Sequence, residues 1–235
     1  MSEMLDPFLP TFDGPAVVRS VNVGAASTVG SRGRVTGIDK RPVDGPVGVR
    51  APGPRGVGLG GLAGDTICDL AHHGGDDQAV YAYAREDLDV WQRELGRPLS
   101  DGGFGENLTT AGLDVNDCLI GERWQVGRTL ELEISDVRIP CRTFADFLAE
   151  RAWVRRFTER GAPGAYLRVL TPGSVRAGDA ITVLSRPDHG VTVRTAFRAQ
   201  MDRPDLLPEL ATAPQLSPAT RIKVLAKLSA PDRAS

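Results

Sequence analysis

Residues 129–142, TLELEISDVRIPCR, contain the pattern that decides the fold. Apolar and polar residues alternate from Leu130 to Ile134, which indicates a strand with one buried face and one solvated face. Pro140 has no amide hydrogen to donate, so the chain is predicted to leave the sheet there. Cys141 therefore falls at a strand end, where a rigid scaffold can present its thiol to a pocket.

Cys141 stands between two arginines, Arg138 and Arg142. A thiol with cationic neighbours loses its proton more easily, and the thiolate is both a nucleophile and a soft-metal ligand. A buried structural cysteine is the commoner case when such a residue is considered alone. The rest of the chain has to decide between these two interpretations.

The segments around this strand repeat its character, with short apolar runs separated by glycine and proline. Cys118–Val126 and Thr129–Val137 are predicted to form a hairpin that turns near Gly127. Many short strands with few helices predict a mainly β barrel. The other predicted strands cover Ala16–Val23, Arg32–Ile38, Pro42–Arg50, Asp65–His73, Ala79–Tyr83, Gly164–Leu170 and Gly178–Leu184.

Helical spacing appears in a few places. Within the barrel region it predicts helices over Arg85–Leu95 and Phe144–Arg160. After residue 187 it predicts three more, over Val193–Met201, Leu206–Ala211 and Pro218–Leu228. We therefore divide the chain into a flexible arm at 1–15, a β-barrel domain at 16–187 and a C-terminal three-helix domain at 190–235.

The last predicted helix has its own signals. Ser217 followed by proline is a good N-cap and first-turn pair. Ile222, Leu225 and Leu228 give the helix one apolar stripe. Its basic side chains allow a helix-turn-helix reader of nucleic acid, but nothing marks a recognition helix. A helical appendage packed on the barrel or on a partner is therefore favoured.

Composition limits the function classes. The chain has 235 residues, 41% of them hydrophobic, and a formal net charge of −2, which gives no global reason to expect a nucleic acid or a membrane partner. Three widely spaced cysteines indicate neither a disulfide framework nor a zinc ribbon, and they favour a reducing cytoplasm. The first residues lack a secretory signal, and no apolar run approaches the ~20 residues of a membrane helix.

Residues 51–64 are dense in glycine and proline and are predicted to be a loop. They contain Gly56-x-Gly58-x-x-Gly61, which matches a dinucleotide-binding fingerprint. That fingerprint needs a strand before it and a helix after it. Prolines precede it here, so nucleotide binding is rejected.

Two polar motifs remain open on spacing alone. On a regular strand, His72 and His73 would face opposite sides, so a hydrogen-bonded loop is favoured over a catalytic or ligand role. A zinc site that includes Cys68 lacks the standard spacing. Glu106 and Asn107 lie in a glycine-rich loop that suits either contact with a ligand or a tight turn.

Five motifs together, in this order along the chain, resemble the MOSC domain family, named for the C-terminal domain of molybdenum cofactor sulfurases. The three C-terminal helices are similar to those of its YiiM-type subgroup. The resemblance covers the chain from about residue 17, with an apparent insertion at 51–61. The motifs are GIDKRPV at 37–43, HHGG at 72–75 with AVY at 79–81, FGENL at 104–108, RIPC at 138–141 and YLRVL at 166–170.

The resemblance implies a strongly bent, mainly β barrel in which Cys141 is the central functional residue. Cys141 would ligate the molybdenum of a bound pterin cofactor or carry sulfur as a persulfide, and a thiolate suits both roles. In YiiM-type relatives the implied reaction reduces N-hydroxylated compounds, such as hydroxylaminopurines, to amines.

The molybdenum cofactor is an anion, so the resemblance also implies which residues hold it. Lys40, Arg138 and Arg168 are the candidate cations, with Asn107 and His73 as hydrogen-bonding groups. His73 could instead act catalytically and give a proton to the leaving oxygen of a small-molecule substrate.

The sequence contains no flavin, iron–sulfur or NAD motif, so a separate electron-donor protein is expected. Two rival functions stay open: a sulfur carrier or sulfurtransferase with a persulfide on Cys141, and a non-enzymatic module that only binds the cofactor. The sequence leaves open the natural substrate, the identity of the donor, the role of the 51–64 segment and whether the protein is a monomer or a homodimer.

Overall fold

The computed structural model describes residues 9–30, 33–57 and 60–230. The expected arm at 1–15 therefore lies partly outside the described residues. The strands are β1 Val17–Gly24, β2 Ser27–Val29, β3 Arg34–Thr36, β4 Lys40–Pro42, β5 Val47–Val49, β6 Val80–Ala84, β7 Leu108–Ala111, β8 Arg123–Val126, β9 Leu130–Val137, β10 Ala165–Thr171, β11 Gly173–Val175 and β12 Ile181–Ser185. The helices are α1 Arg85–Leu95, α2 Arg142–Leu148, α3 Trp153–Arg160, α4 Val193–Met201, α5 Leu207–Leu210 and α6 Pro218–Ser229, with short 3₁₀ turns at Asp76–Gln78 and Pro204–Leu206.

The fold is built on one eight-stranded sheet in the order β12-β8-β9-β10-β6-β7-β1-β4. Its strand pairs are antiparallel except for β6 and β7, which run parallel and are connected through α1. The start of β1 meets the start of β12, where the Val18 amide donates to the Asp179 carbonyl at 2.8 Å and the Ile181 amide donates to the Ala16 carbonyl at 2.8 Å. These bonds close the sheet on itself, which confirms the mainly β barrel.

β9 has the alternation that its sequence predicted. Leu130, Leu132 and Ile134 are fully buried, while the glutamates between them remain partly exposed. The predicted hairpin is shorter than expected on one side, because residues 118–122 form a turn before β8. β9 ends at Val137, and Pro140 lies outside the sheet as predicted.

The predicted strand over Asp65–His73 is wrong, since these residues form a loop. The Asp69 carbonyl accepts from the backbone N–H groups of His72 and His73, which closes a turn. The Asp69 carboxylate also bonds the His72 ring at 3.0 Å, and such local side-chain bonds compete with regular structure. The single helix predicted over Phe144–Arg160 is also wrong: it is two helices, α2 and α3, separated by residues in the left-handed conformation at Ala149 and Ala152.

The three C-terminal helices pack on the barrel. Phe197 of α4, Leu210 of α5 and Val224 of α6 belong to the same hydrophobic core as the sheet. Ser217 caps α6 as predicted, since its hydroxyl oxygen accepts from the Thr220 N–H. The buried Asp136 of β9 accepts from the hydroxyls of Ser217 at 2.5 Å and Thr220 at 2.6 Å, which joins the start of α6 to the strand that leads to Cys141.

None of the helices in the ranges given above is both long and apolar enough to cross a membrane.

Candidate functional site: a cavity around Cys141

The end of β9 and the start of α2 place Cys141 on the wall of a cavity of about 220 Å³. Cys141 has extended backbone and occupies the position just before the first turn of α2. Pro140 ends the strand and α2 begins at Arg142, so the thiol is held between two regular elements. The cavity wall also includes Lys40, His73 and Arg138.

Cys141 is held in a form that favours the thiolate. Burial of the thiol raises its pKa. Three interactions lower the pKa by more than burial raises it: a hydrogen bond from His73, the positive charge of Arg138 and the backbone N–H of Phe144. The result lowers the pKa of Cys141 to about 6. A thiol with this pKa is mostly thiolate at neutral pH, which is the form that can act as a nucleophile or as a soft-metal ligand.

Arg138 is the buried cation beside this thiolate. Its Nη1 donates to the Tyr166 hydroxyl at 2.9 Å, and its guanidinium lies 5.7 Å from the ring centre of Tyr81 and 5.1 Å from that of Phe144. Its Nε is buried and has no hydrogen-bond partner within the part of the chain that the structure describes. A buried polar atom left unpaired costs free energy, so this guanidinium has unused capacity to bind an anion in the cavity.

Lys40 is the second buried cation on the cavity wall, and it is paired. Its ammonium group contacts the Asp65 carboxylate, which also accepts from the Gly24 amide at 2.8 Å. Burial lowers the pKa of Lys40, and the neighbouring Asp65 charge opposes that shift. Lys40 is therefore a cation whose charge depends on the carboxylate beside it.

Asp65 was missed by sequence reasoning, although it organises this wall. Its other oxygen accepts from the side-chain amide of Asn107 at 2.9 Å, so one carboxylate positions two of the predicted cofactor-binding residues. The wall is close-packed there: a Cβ on Gly37 would lie 2.0 Å from the Thr66 carbonyl oxygen. Two features of the sequence could have indicated this role of Asp65. Gly37 directly follows a strand, and Gly64 comes directly before Asp65 in a turn.

Asn107 lines the cavity, but its amide is used by the protein. Its carbonyl oxygen accepts from the Tyr81 N–H at 3.1 Å, and its NH₂ group donates to Asp65 and to the Asn22 carbonyl. Glu106 faces away from the cavity: its carboxylate accepts from the backbone N–H groups of Gly102 and Phe104. Glu106 therefore stabilises a tight turn, whereas Asn107 holds the cavity wall in position.

The two histidines are separated as the sequence predicted, but by a turn instead of a strand. His72 is exposed and hydrogen-bonded to Asp69 at 3.0 Å. His73 lines the same cavity as Cys141 and helps to lower the pKa of its thiol. Within the described residues, no group of three or more histidine, cysteine or acidic side chains is arranged to hold a metal ion by itself.

Arg168 is not brought to the cavity with the others. It lies outside the cavity lining, where it pairs with Asp77 at 2.7 Å and Glu133 at 2.7 Å and donates to the Gln215 carbonyl at 2.9 Å. These partners join β10 to β9, to the 3₁₀ turn at Asp76–Gln78 and to the link between α5 and α6. Among the residues of the YLRVL motif, Tyr166 is the one that lines the cavity.

With the cavity described, comparison with known proteins identifies the family. A family model for the MOSC domain matches residues 69–182. Protein YflK of Bacillus subtilis is 35% identical to this chain, over 77% of this chain and 79% of the length of YflK. The chain belongs to the MOSC domain family. A protein named a reductase from Gibberella moniliformis is 32% identical over 74% of this chain, which corresponds to 30% of that longer protein. The crystal structure of YiiM from Geobacillus stearothermophilus has a TM-score of 0.73 and 27% identity, and it covers 92% of this chain and 100% of its own.

Proposed function

We propose that the cavity binds the molybdenum cofactor with Cys141 as a metal ligand, and that the protein reduces N-hydroxylated compounds such as hydroxylaminopurines to amines. The observation that carries this proposal is the thiolate of Cys141 next to a buried guanidinium with an unpaired Nε. A soft thiolate ligand and a cation for the anionic pterin are the two features such a group requires. The MOSC family and the reductase-named relative support the oxidoreductase class.

The residues present fit the cofactor in a specific way. Arg138, which lines the cavity, would bind an anionic part with its guanidinium, and Lys40 would add a second charge held in place by Asp65. Asn107, whose amide is already used by the protein, would set the position of the wall. Arg168 supports the strands behind the cavity and does not bind the cofactor directly in this proposal.

When bound, the cofactor supplies the two-electron redox centre. The overall reaction takes R–NHOH, two electrons and two protons to R–NH₂ and water, so protons must reach the departing oxygen. His73 is the candidate to hold one of these protons, because it lines the cavity beside Cys141 and lowers the pKa of that thiol. The electrons would come from a separate donor protein.

The test is metal and pterin analysis of protein made in a host that synthesises the cofactor. We expect near-stoichiometric molybdenum in the wild type and loss of it in Cys141→Ala. Cys68→Ala is the matched control, because Cys68 lines the same cavity and should leave the molybdenum content unchanged. Loaded protein should then reduce a hydroxylaminopurine when reduced methyl viologen supplies electrons.

Other results would point elsewhere. The wild type could contain cyanide-labile sulfur and no molybdenum, with the sulfur absent from Cys141→Ala. That result would show that the protein is a sulfur carrier and contradict the proposal. Equal molybdenum content in the wild type and Cys141→Ala would show that Cys141 is not a metal ligand. Retained cofactor with no turnover of any N-hydroxylated compound would leave a module that only binds the cofactor.

A further inference from the structure

One proton of the proposed reaction has no assigned donor on the cavity wall. The reaction consumes two protons, and His73 accounts for one of them. A second side chain with a hydrogen atom to give would supply the other without solvent. Other polar groups of the wall are used within the protein: the Lys40 ammonium contacts Asp65, and the Asn107 amide donates to Asp65 and to the Asn22 carbonyl.

The chain has three tyrosines, and two of them use their hydroxyl hydrogen inside the fold. The Tyr81 hydroxyl donates to the Pro163 carbonyl at 2.7 Å, and the Tyr83 hydroxyl donates to the Ala162 carbonyl at 3.0 Å. Both phenols are buried, and burial raises the pKa of each well above its ordinary value. Neither hydroxyl can pass its proton to a ligand without the loss of an internal hydrogen bond.

The Tyr166 hydroxyl has the opposite arrangement. Its oxygen accepts from Arg138 Nη1 at 2.9 Å, and its own hydrogen finds no acceptor in the part of the chain that the structure describes. Tyr166 and Arg138 both line the cavity, whereas Tyr83 lies outside the cavity lining. A hydroxyl that already accepts one bond and keeps its hydrogen free is able to donate to a ligand.

Arg138 also stabilises the group that proton donation leaves behind. A phenol that gives up its proton becomes a phenolate, and a guanidinium bonded to its oxygen favours that negative charge. The same guanidinium helps to lower the pKa of the Cys141 thiol. A nitrogen from which oxygen has just departed is strongly basic, so a phenol is acidic enough to protonate it.

The sheet holds Tyr166 in a fixed position. Tyr166 of β10 is paired in register with Tyr81 of β6, and the centres of their rings are 5.2 Å apart. Its backbone carbonyl accepts from the Ser135 hydroxyl at 3.1 Å, and the residue as a whole is buried. A proton donor on a buried strand keeps its place while a ligand enters the cavity, as general acid catalysis requires.

We propose that Tyr166 is the second proton donor of the reaction and gives its hydroxyl proton to the substrate nitrogen. Two electrons from the donor protein enter the N–O bond of R–NHOH, and that bond breaks. The oxygen takes a proton from His73 and leaves as water, while the nitrogen forms a new N–H bond with the proton of Tyr166. Solvent then returns one proton to each side chain. This inference rests on the proposed function, which supplies the substrate and the electrons.

The kinetic test uses cofactor-loaded protein, reduced methyl viologen as the electron source and a hydroxylaminopurine as the substrate. Tyr166→Phe keeps the ring and removes the hydroxyl, so we expect kcat per molybdenum to fall about 100-fold or more, with an unchanged molybdenum content. Tyr83→Phe is the matched control, because it removes a buried tyrosine hydroxyl outside the cavity lining. Its kcat should stay near that of the wild type.

Chemical rescue separates proton donation from packing. Tyr166→Ala opens space for a small aromatic molecule, and added phenol should raise its kcat at least about 10-fold. Toluene fills the same space without a hydroxyl and should have no such effect. If phenol and toluene restore the rate equally, Tyr166 contributes only packing and the inference is wrong.

Contact between Tyr166 and the substrate can be measured without turnover. Tyrosine labelled with ¹³C at Cζ gives three NMR signals, and the Tyr166 signal is identified by its loss in Tyr166→Phe. A hydroxylaminopurine added to oxidised, cofactor-loaded protein should shift the Tyr166 signal and leave the Tyr83 signal in place. If equilibrium dialysis shows bound substrate while the Tyr166 signal stays unmoved, the inference is contradicted, even where Tyr166→Ala fails to fold.

The outcomes separate the two proposals. If the wild type reduces the hydroxylaminopurine and Tyr166→Phe does so with equal kcat, Tyr166 is not a proton donor and the proposed function stands. If the loaded wild type reduces no N-hydroxylated compound, the proposed function fails and this inference fails with it. Loss of molybdenum from Tyr166→Phe would assign the hydroxyl to cofactor binding and also overturn the inference.

Discussion

Arg138 and Arg168 have the same predicted role but very different surroundings. Both belong to motifs at neighbouring strands, and both were expected to hold the anionic cofactor. Arg168 pairs with two carboxylates and one carbonyl, so its hydrogen-bonding capacity is spent on the protein. Arg138 faces a tyrosine hydroxyl and two aromatic rings, and its buried Nε is unpaired.

The difference separates a charge that supports the fold from a charge that is available to a ligand. Carboxylates neutralise Arg168, and this side chain links β10 to β9 and to the segment between α5 and α6. Among the described residues no carboxylate forms an ion pair with Arg138, and its charge helps to lower the pKa of the Cys141 thiol. A buried cation without a carboxylate partner is costly to a protein that gains nothing else from it.

The strongest test of this comparison is Arg168→Met. Removal of the guanidinium leaves Asp77 and Glu133 without their cation, so we expect a loss of about 3 kcal/mol in the free energy of unfolding, measured by urea denaturation. Molybdenum content per folded molecule should stay near that of the wild type. Arg176→Met, which removes an exposed pair with Asp179, is the control and should change stability by less than about 0.5 kcal/mol. A stable Arg168→Met protein that fails to retain cofactor would return Arg168 to the binding site.

Arg138→Met should show the reverse pattern. The variant keeps the contacts with the Tyr81 and Phe144 rings but loses the cation, so cofactor affinity should fall by about 10- to 100-fold. Its free energy of unfolding should change little, because the lost group was incompletely bonded. Arg142→Met is the matched control, since Arg142 flanks Cys141 on the other side but is exposed. Equal loss of cofactor from both variants would show that general positive charge, and not the buried guanidinium, holds the anion.

The pH dependence of thiol alkylation measures the electrostatics of the cavity directly. In a Cys68→Ser background, iodoacetamide should label Cys141 with a rate midpoint near pH 6, and His73→Gln should move that midpoint upward by about one unit. The folded pKa lies below that of a free thiol, so this residue favours folding fully above about pH 8.5, and the contribution is lost as pH falls through 6. Arg168→Met should not move the midpoint. A midpoint near 8.5 in the wild type would contradict the site as described.

The sequence predicted the barrel and most of its strands because periodicity depends on local residues, as in β9. It predicted the place of Cys141 because proline ends a strand by local chemistry. It could not distinguish Arg138 from Arg168, because both belong to family motifs and only long-range packing decides which one is neutralised. Asp65 was missed for the same reason: its partners Gly24, Lys40 and Asn107 are far from it in the chain. Aspartate turns, as at Asp69, override an apolar pattern that resembles a strand.

The smallest expected effect concerns strain next to the site. Among the described residues, Ala149 and Ala152 are the non-glycine positions with positive φ, at 56° and 54°, and both lie in the link between α2 and α3. Glycine adopts this conformation without the cost of a Cβ, so Ala149→Gly should stabilise the protein by about 0.5–1 kcal/mol and raise Tm by roughly 1–4 °C. Ala145→Gly, inside α2, should instead destabilise it by up to about 1 kcal/mol. If both substitutions destabilise the protein, the left-handed conformation at Ala149 does not strain the link between α2 and α3.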